Sequence, residues 1–257
     1  MYVIENFPAF LLIFARVSAF FVTLPLFSYR TIPSAHKIGI SFFLSLIVFT
    51  AINPEPLELS GAFILLAVKE VMIGLFIGFS AYLMMAAVQL AGSLIDFQMG
   101  FAIANIIDPQ TGAQSPLIGQ FLNILALLFM LSVNAHHLLL DGVFYSFQYI
   151  PLEGSAFPFG DGNIAKMITK SFSSMFLIAF QMSFPIVASL FLVDLALGIV
   201  ARTVPQLNIF VVGLPLKIGV SFIMLILVMG TMFMLIKDVF STMIYTMRSL
   251  MELIGGA

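Results

Sequence analysis

The sequence predicts an all-α integral membrane protein of about six long, partly kinked helices joined into hairpins. Three observations carry this prediction. Of the 257 residues, 61% are hydrophobic and 9% charged, and the mean hydropathy is +1.16, which places the chain in the membrane class. The apolar residues are gathered into runs comparable to the ~20 residues that cross a ~30 Å hydrocarbon layer. The helix breakers lie between these runs rather than within most of them.

The first run, Phe7–Phe27, follows Met1-Tyr-Val-Ile-Glu5-Asn6. That start carries an acid where a secretory signal has a basic region, and no small-residue cleavage site follows, so no removable signal peptide is expected. Ser28–Lys37, with Pro33, separates it from Ile38–Ile52, which ends at Asn53-Pro-Glu-Pro56. Ala62–Ala91 comes next and continues without proline through the more polar Gly92–Ile107. Asp108-Pro-Gln-Thr-Gly-Ala-Gln-Ser-Pro116 then reads as a loop, because two prolines bracket it and each biases the preceding residue out of the helical region. Irregular backbone at membrane depth survives only when buried in protein or lining a wet cavity. The loop is therefore either an ordinary connection outside the membrane or a structural part of a pore.

Leu117–Leu140 forms the fourth run, and Pro151–Asn163, rich in glycine and proline, closes the first part of the chain. Met167–Gly198 would extend ~48 Å as one helix, beyond the hydrocarbon thickness, with Pro185 expected to kink it. The short turn Ala201–Asn208 joins it to Ile209–Ile236 in a tight hairpin. Chain order thus gives an N-terminal helical region, 1–150, and a C-terminal hairpin region, 151–257. Overlong, charge-bearing helices suit a complex projecting from the bilayer better than a plain bundle.

Placing Arg30 and Lys37 inside and alternating through six spans puts Arg202 inside as well, but leaves Lys166, Lys170, Lys237 and Arg248 outside. The lysine and arginine bias that normally fixes orientation is absent or reversed. Either some runs do not span or partners hold the chain in place; the second is the preferred reading. With no cysteine, disulfides, thiolate metal sites and cysteine nucleophiles are excluded. A net charge of −2 without a basic patch gives no reason to expect nucleic acid.

Ionisable groups inside apolar helices are costly facing lipid and are site candidates by default. They are Arg16, Lys69, Glu70, Asp96, Asp194 and Lys217. Lys69 and Glu70 are adjacent, so they point to different helix faces and are not expected to be each other's main partner. The midpoint of Asp194 and Lys217 falls inside the Arg202–Asn208 turn, so they lie at equal depth on the two arms and a buried ion pair across the hairpin is the simplest account. For all six the plain alternative is structural glue between helices or subunits, and the other is transport or proton relay. Asn134 and His137, on the Leu117–Leu140 run, are expected to be buried and to hydrogen-bond a neighbouring helix.

Catalysis is not expected. Among His36, His136 and His137 there is no His-Glu-x-x-His pattern, and neighbouring histidines face about 100° apart on a helix, too far to share a metal. Asp141-Gly142 and Gly160-Asp161 lack the glycine pattern of intramembrane aspartyl proteases, and no Gly-x-Ser-Gly suits a rhomboid-type serine. No phosphate loop of the Gly-x-x-x-x-Gly-Lys type is present, so energy would come from elsewhere. No cofactor and no metal site are expected. Methionines such as Met84, Met85, Met224, Met229, Met232 and Met234 read first as core or lipid-facing filler, with a deformable seal as the alternative. Gly74 and Gly78 form a small-xxx-small pair that permits close helix contact.

Leu94-Ile-Asp-Phe-Gln-Met-Gly-Phe101, with Asp108-Pro-Gln-Thr-Gly and Ser115-Pro116 after it, resembles the FliR family of flagellar biosynthesis proteins. Lys69-Glu-Val-Met-Ile-Gly-Leu75, Asn134-Ala-His-His137, Arg202-Thr-Val-Pro-Gln-Leu-Asn-Ile-Phe210 and Gly213-Leu-Pro-Leu-Lys217 extend the resemblance along essentially the whole chain. It implies a bacterial inner-membrane subunit of the type III export gate in the flagellar basal body. That subunit would assemble with two kinds of sister subunit into a helical pore that conducts unfolded export substrates and lies largely above the membrane plane. It also implies that Ile106, Ile107, Asp108, Pro109, Gln110, Thr111, Gly112, Ala113, Gln114, Ser115 and Pro116 help close the resting pore. The cytoplasmic turn Arg202, Thr203, Val204, Pro205, Gln206, Leu207 and Asn208 would contact a further export-gate membrane protein. The rival reading is a self-contained secondary transporter using Glu70, Asp96 and Asp194, which needs paired broken helices in both halves. Pro185 and Pro215 have no matching pair in the N-terminal half. An inert membrane scaffold is the third reading.

Overall fold

The computed structural model describes residues 6–28, 32–57, 61–101, 116–152, 162–206 and 208–256. Among these residues the only regular elements are seven α-helices: α1 Phe7–Thr23, α2 Ser34–Ile52, α3 Ala62–Met99, α4 Leu117–Ser132, α5 Ala135–Tyr149, α6 Gly162–Thr203 and α7 Ile209–Gly255. Four carry a stretch long and apolar enough to cross a membrane, Ser34–Ile52, Phe63–Met99, Gly162–Thr203 and Phe210–Gly255, and the bent pair α4–α5 makes a fifth if counted as one span. The protein is an all-α integral membrane protein.

The boundaries follow local chemistry. Pro33 stands at the N-cap of α2, and Asn53, left-handed at φ 51°, ends it. At the end of α3, Gly100 turns left-handed at φ 90°. Its N–H donates to the Phe97 carbonyl and the Phe101 N–H to the Asp96 carbonyl, the paired bonds of a Schellman termination. α3 thus ends at Met99, eight residues past Ala91. Pro185 and Pro215 lie inside α6 and α7 without ending them.

Two expectations need correction. The Leu117–Leu140 run is not one helix: it breaks at Val133–Asn134 and bends by 75°. Asn134 adopts φ 57°, a left-handed conformation that asparagine tolerates and that stops a right-handed helix. The C-terminal turn is also shorter than drawn, because Arg202 and Thr203 complete the last turn of α6. Asn208 starts α7 with its side-chain Oδ1 accepting from Phe210 N–H at 3.1 Å and Val211 N–H at 3.4 Å, which satisfies donors the helix leaves open.

Packing groups the chain into two compact units, each drawing on both sides of the 150/151 boundary in chain order. One comprises Met1–Met84, Met130–Phe172 and Ser241–Ala257; the other comprises Met85–Phe129 and Ser173–Phe240. In the first unit α1 lies against α3 at backbone distance. A Cβ on Gly74 would sit 2.2 Å from the Arg16 carbonyl oxygen, and one on Gly78 would sit 2.0 Å from Thr23 Oγ1, so the small-xxx-small pair makes the contact its spacing permits. Phe10 meets Phe42 and Phe49 edge-on at 5.5 and 5.9 Å, and Leu12, Ile13, Val17, Ile73 and Ile77 fill the core between them. In the second unit α3 and α4 touch at Gly92 and Gly119, and Phe129 meets Phe233 edge-on at 5.2 Å.

Candidate functional site

The charged side chains within the helices fall into three groups. In the first unit Arg16, Lys69 and Glu70 are brought together and buried, at 1%, 4% and 0% exposure. Arg16 Nε donates to Glu70 Oε2 at 2.5 Å, while Lys69 Nζ lies 3.3 Å from Glu70 Oε1. This second contact is the longer of the two. Arg16 is therefore the main partner of Glu70, although the adjacent Lys69 also reaches it.

The two cations are directed at one end of α5. Arg16 Nη1 donates to the Ser146 carbonyl at 2.9 Å and Nη2 to the Ile150 carbonyl at 2.9 Å. Lys69 Nζ donates to the carbonyls of Pro151 at 3.1 Å and Leu152 at 2.9 Å. A helix C-terminus leaves carbonyls open and carries the negative end of the macrodipole, so two cations balanced by one carboxylate fit there. The Arg16 guanidinium also stacks 4.0 Å from the Phe147 ring centroid, a favourable cation–π distance. These carbonyl partners were not identified from the sequence. The available signal was Pro151, which ends α5 and leaves its last carbonyls seeking donors.

In the second unit Asp96, 4% exposed, accepts from the amides of Ile118 and Gly119. Nearby, Asp194 Oδ1 lies 2.5 Å from Lys217 Nζ. Asp194 Oδ2 accepts from Gln98 Nε2 at 3.0 Å, and the Gln98 carbonyl accepts from Lys217 at 3.4 Å. Asp194 and Lys217 are thus paired across the α6–α7 hairpin, but the pair is not buried within this chain. The side chains are 37% and 19% exposed, because the outer faces of α6 and α7 are uncovered.

Asn134 and His137 are exposed, not buried. The break at Asn134 takes them off the continuous apolar face on which their expected partners were placed. The His136 and His137 rings lie 4.1 Å apart, closer than helical spacing suggested, yet among the described residues no group of three or more metal-binding side chains exists. Of the predicted closure loop, Ile106–Ser115 lie outside the described residues, and Pro116 is the residue before α4. Leu207 of the turn also lies outside them, while Val204, Pro205 and Gln206 are exposed.

The hairpin pair yields a direct test. Asp194→Ala and Lys217→Ala should each lower the yield of assembled complex, because a lone charge on an apolar surface is costly once covered. Asp194→Lys combined with Lys217→Asp should recover part of that yield. Recovery should be partial because the Gln98 carbonyl would then face an acid. Equal losses in the single and swapped variants, measured by co-purification, would show that pairing is not the property that matters.

The sequence profile of bacterial export proteins, family 1, matches residues 7–243. The chain is 66% identical over 255 residues, 98% of both chains, to the flagellar biosynthetic protein FliR of Bacillus subtilis (strain 168). It is 32% identical over 207 residues, 80% of this chain and 78% of the relative, to the flagellar biosynthetic protein FliR of Escherichia coli (strain K12). It is 30% identical over 219 residues, 84% of each, to the Yop proteins translocation protein T of Yersinia pestis. With a match running almost from end to end, this chain belongs to the FliR family of bacterial export proteins.

Proposed function

We propose that this chain is a structural, pore-forming subunit of the bacterial flagellar type III protein-export gate. In this reading it conducts unfolded export substrates across the inner membrane and performs no chemistry of its own. The observation that carries the proposal is the mismatch between the last two helices and a bilayer. α6 and α7 are 42 and 47 residues long, so α7 alone extends ~70 Å, more than twice a hydrocarbon layer. Only 17% of the most apolar stretch of each is buried within the chain. Lipid covers at most part of such a surface, and the remainder needs protein neighbours. Exposed Phe176, Phe180, Phe191, Phe210, Ile226 and Leu227 suit sister membrane subunits better than water.

In the same reading Ile106–Pro116 helps close the resting pore, Arg202–Asn208 meets a further export-gate membrane protein, and the substrates are unfolded secreted proteins. The transporter reading loses support from the charge geometry. Glu70 and Asp194 are committed to ion pairs and Asp96 to a helix cap, leaving none of them as a free ion carrier.

Expressed alone, the chain is expected to aggregate or be degraded; expressed with its sister subunits, it is expected to yield one large discrete complex. The check is co-purification in mild detergent with mass determination of the particle. A stable monomer active in small-solute uptake would overturn the proposal.

A further inference from the structure

α5 and α7 run side by side in the same direction over their last turns. A Cβ on Gly142 would lie 2.8 Å from Met247 Cε, and one on Gly255 would run into the Tyr149 carbonyl. At the first of these contacts a cleft of about 140 Å³ lies between the two helices. Leu138, Met247 and Met251 make its walls apolar, while Asp141 lines it from α5 and Arg248 from α7. Tyr145, one turn along α5 from Asp141, lines the same cleft.

Asp141, Tyr145 and Arg248 are exposed. Among the described residues neither charge has an ion-pair or hydrogen-bond partner. An acid and a base thus share one apolar cleft without meeting each other, which fits a ligand carrying both signs. A purely anionic head group satisfies Arg248 but brings its charge up against Asp141. An apolar chain alone covers both charges and compensates neither. A ligand with an ammonium and a phosphate meets both. Its ammonium donates to the carboxylate, and the guanidinium and the Tyr145 hydroxyl donate to its phosphate. A soluble zwitterion has nothing to place against Leu138 and the two methionines, whereas a lipid does. Arginine and tyrosine near helix ends are also the side chains that reach head-group level.

We propose that this cleft binds one zwitterionic phospholipid of the ethanolamine type, its ammonium against Asp141, its phosphate against Arg248 and its acyl chains along the methionine wall. The site shares no residue with the segments assigned above to the pore or to partner contact, so it stands independently of the subunit reading.

The test reconstitutes the full chain, co-purified with its sister subunits, in choline-lipid vesicles doped with a photoactivatable ethanolamine lipid. A chain that purifies without partners is treated the same way, so failure of the subunit reading does not decide this one. Adducts are mapped by mass spectrometry of peptides. They should fall on the α5 peptide containing Asp141 and the α7 peptide containing Arg248. Unlabelled ethanolamine lipid should suppress them about fivefold more than an equal amount of anionic glycerol lipid, a modest ratio because the charges are partly in water. Free phosphoethanolamine should not compete. Asp141→Asn should lower capture about fivefold and abolish the preference over the glycerol lipid. Arg248→Gln should lower capture while keeping that preference.

Adducts absent from both peptides would overturn the site, as they would be if a sister subunit covers the cleft. Equal competition by the glycerol lipid would overturn recognition of a zwitterion, and equal competition by free phosphoethanolamine would overturn a lipid as its source. A preference unchanged in Asp141→Asn would remove the acid from the site. Should that variant give no protein, the competition order and Arg248→Gln decide: capture unchanged in the latter refutes the proposal, and lowered capture with the order kept supports it.

Discussion

Glu70→Ala should all but eliminate the protein from membranes, the largest effect expected of any single substitution here. The carboxylate is fully buried between Arg16 and Lys69, and its removal leaves two buried cations facing each other. Breaking a buried pair from one side costs about 3–5 kcal/mol, a large share of the ~5–15 kcal/mol that holds a typical domain together. Arg16→Ala should be nearly as severe for a different reason. It strands the carbonyl of Ile150, an unmet buried acceptor costing about 1–3 kcal/mol, takes one of two donors from the Ser146 carbonyl, which keeps the Ile150 N–H, and removes the cation stacked on Phe147. Arg16→Lys should rescue little, because one ammonium cannot reproduce a guanidinium reaching a carboxylate and two carbonyls at fixed angles.

The double change Arg16→Met with Glu70→Met separates the contributions. Where an ion pair serves only itself, apolar replacements of similar volume are often neutral or stabilising. Here the Ile150 carbonyl loses its guanidinium donor and Lys69 stays buried without its carboxylate, so the double variant should recover above Glu70→Ala yet stay below wild type. Steady-state membrane abundance and the thermal midpoint of the co-purified complex measure this order. Full recovery by the double variant would show that the Arg16–carbonyl contacts contribute nothing.

Sequence reasoning found the charges but not what they bind, and the reason is physical. Arg16, Lys69, Glu70 and Asp96 stand out because each interrupts an apolar stretch, and the structure buries all four. Their partners are mostly backbone carbonyls and amides, which every residue possesses and no sequence pattern marks. Asp194 and Lys217 were legible as partners because a hairpin equates depth with distance from the turn; the openness of their surroundings was not, since it depends on which helices cover α6 and α7. Helix ends were readable where proline marks them, as at Pro33 and Pro116, but not at Gly100, where the reading ran on through Ile107. The bend after Ser132 was not, because apolar residues continue to Leu140 across it and only the left-handed Asn134 records the break. That single backbone choice also explains why Asn134 and His137 are exposed.

Deleting Gln110–Gln114 is expected to leave the assembled complex intact while making the membrane permeable to ions. The five residues are short or polar and uncharged, so an occluding segment built from them could leave the path without a large electrostatic cost. Their removal should not disturb the described contacts at either side. Phe101 is tied to the Asp96 carbonyl, and Ile118 and Gly119 to its carboxylate. A charge at the bilayer centre costs at least ~2.5 kcal/mol, and each ~1.4 kcal/mol is tenfold in an equilibrium. A wet passage in place of that barrier should therefore raise ion leak at least about tenfold. A Gly-Ser replacement of equal length for Gln110–Gln114 controls for anchorage, because it keeps the connection but discards the native side chains. If occlusion depends on those side chains, both variants assemble and both leak. If bulk alone suffices, only the deletion leaks. If neither leaks in assembled complexes, the segment is a connection and the closure role is refuted; if the deletion fails to assemble, the Gly-Ser variant distinguishes a subunit anchor from a pore closure.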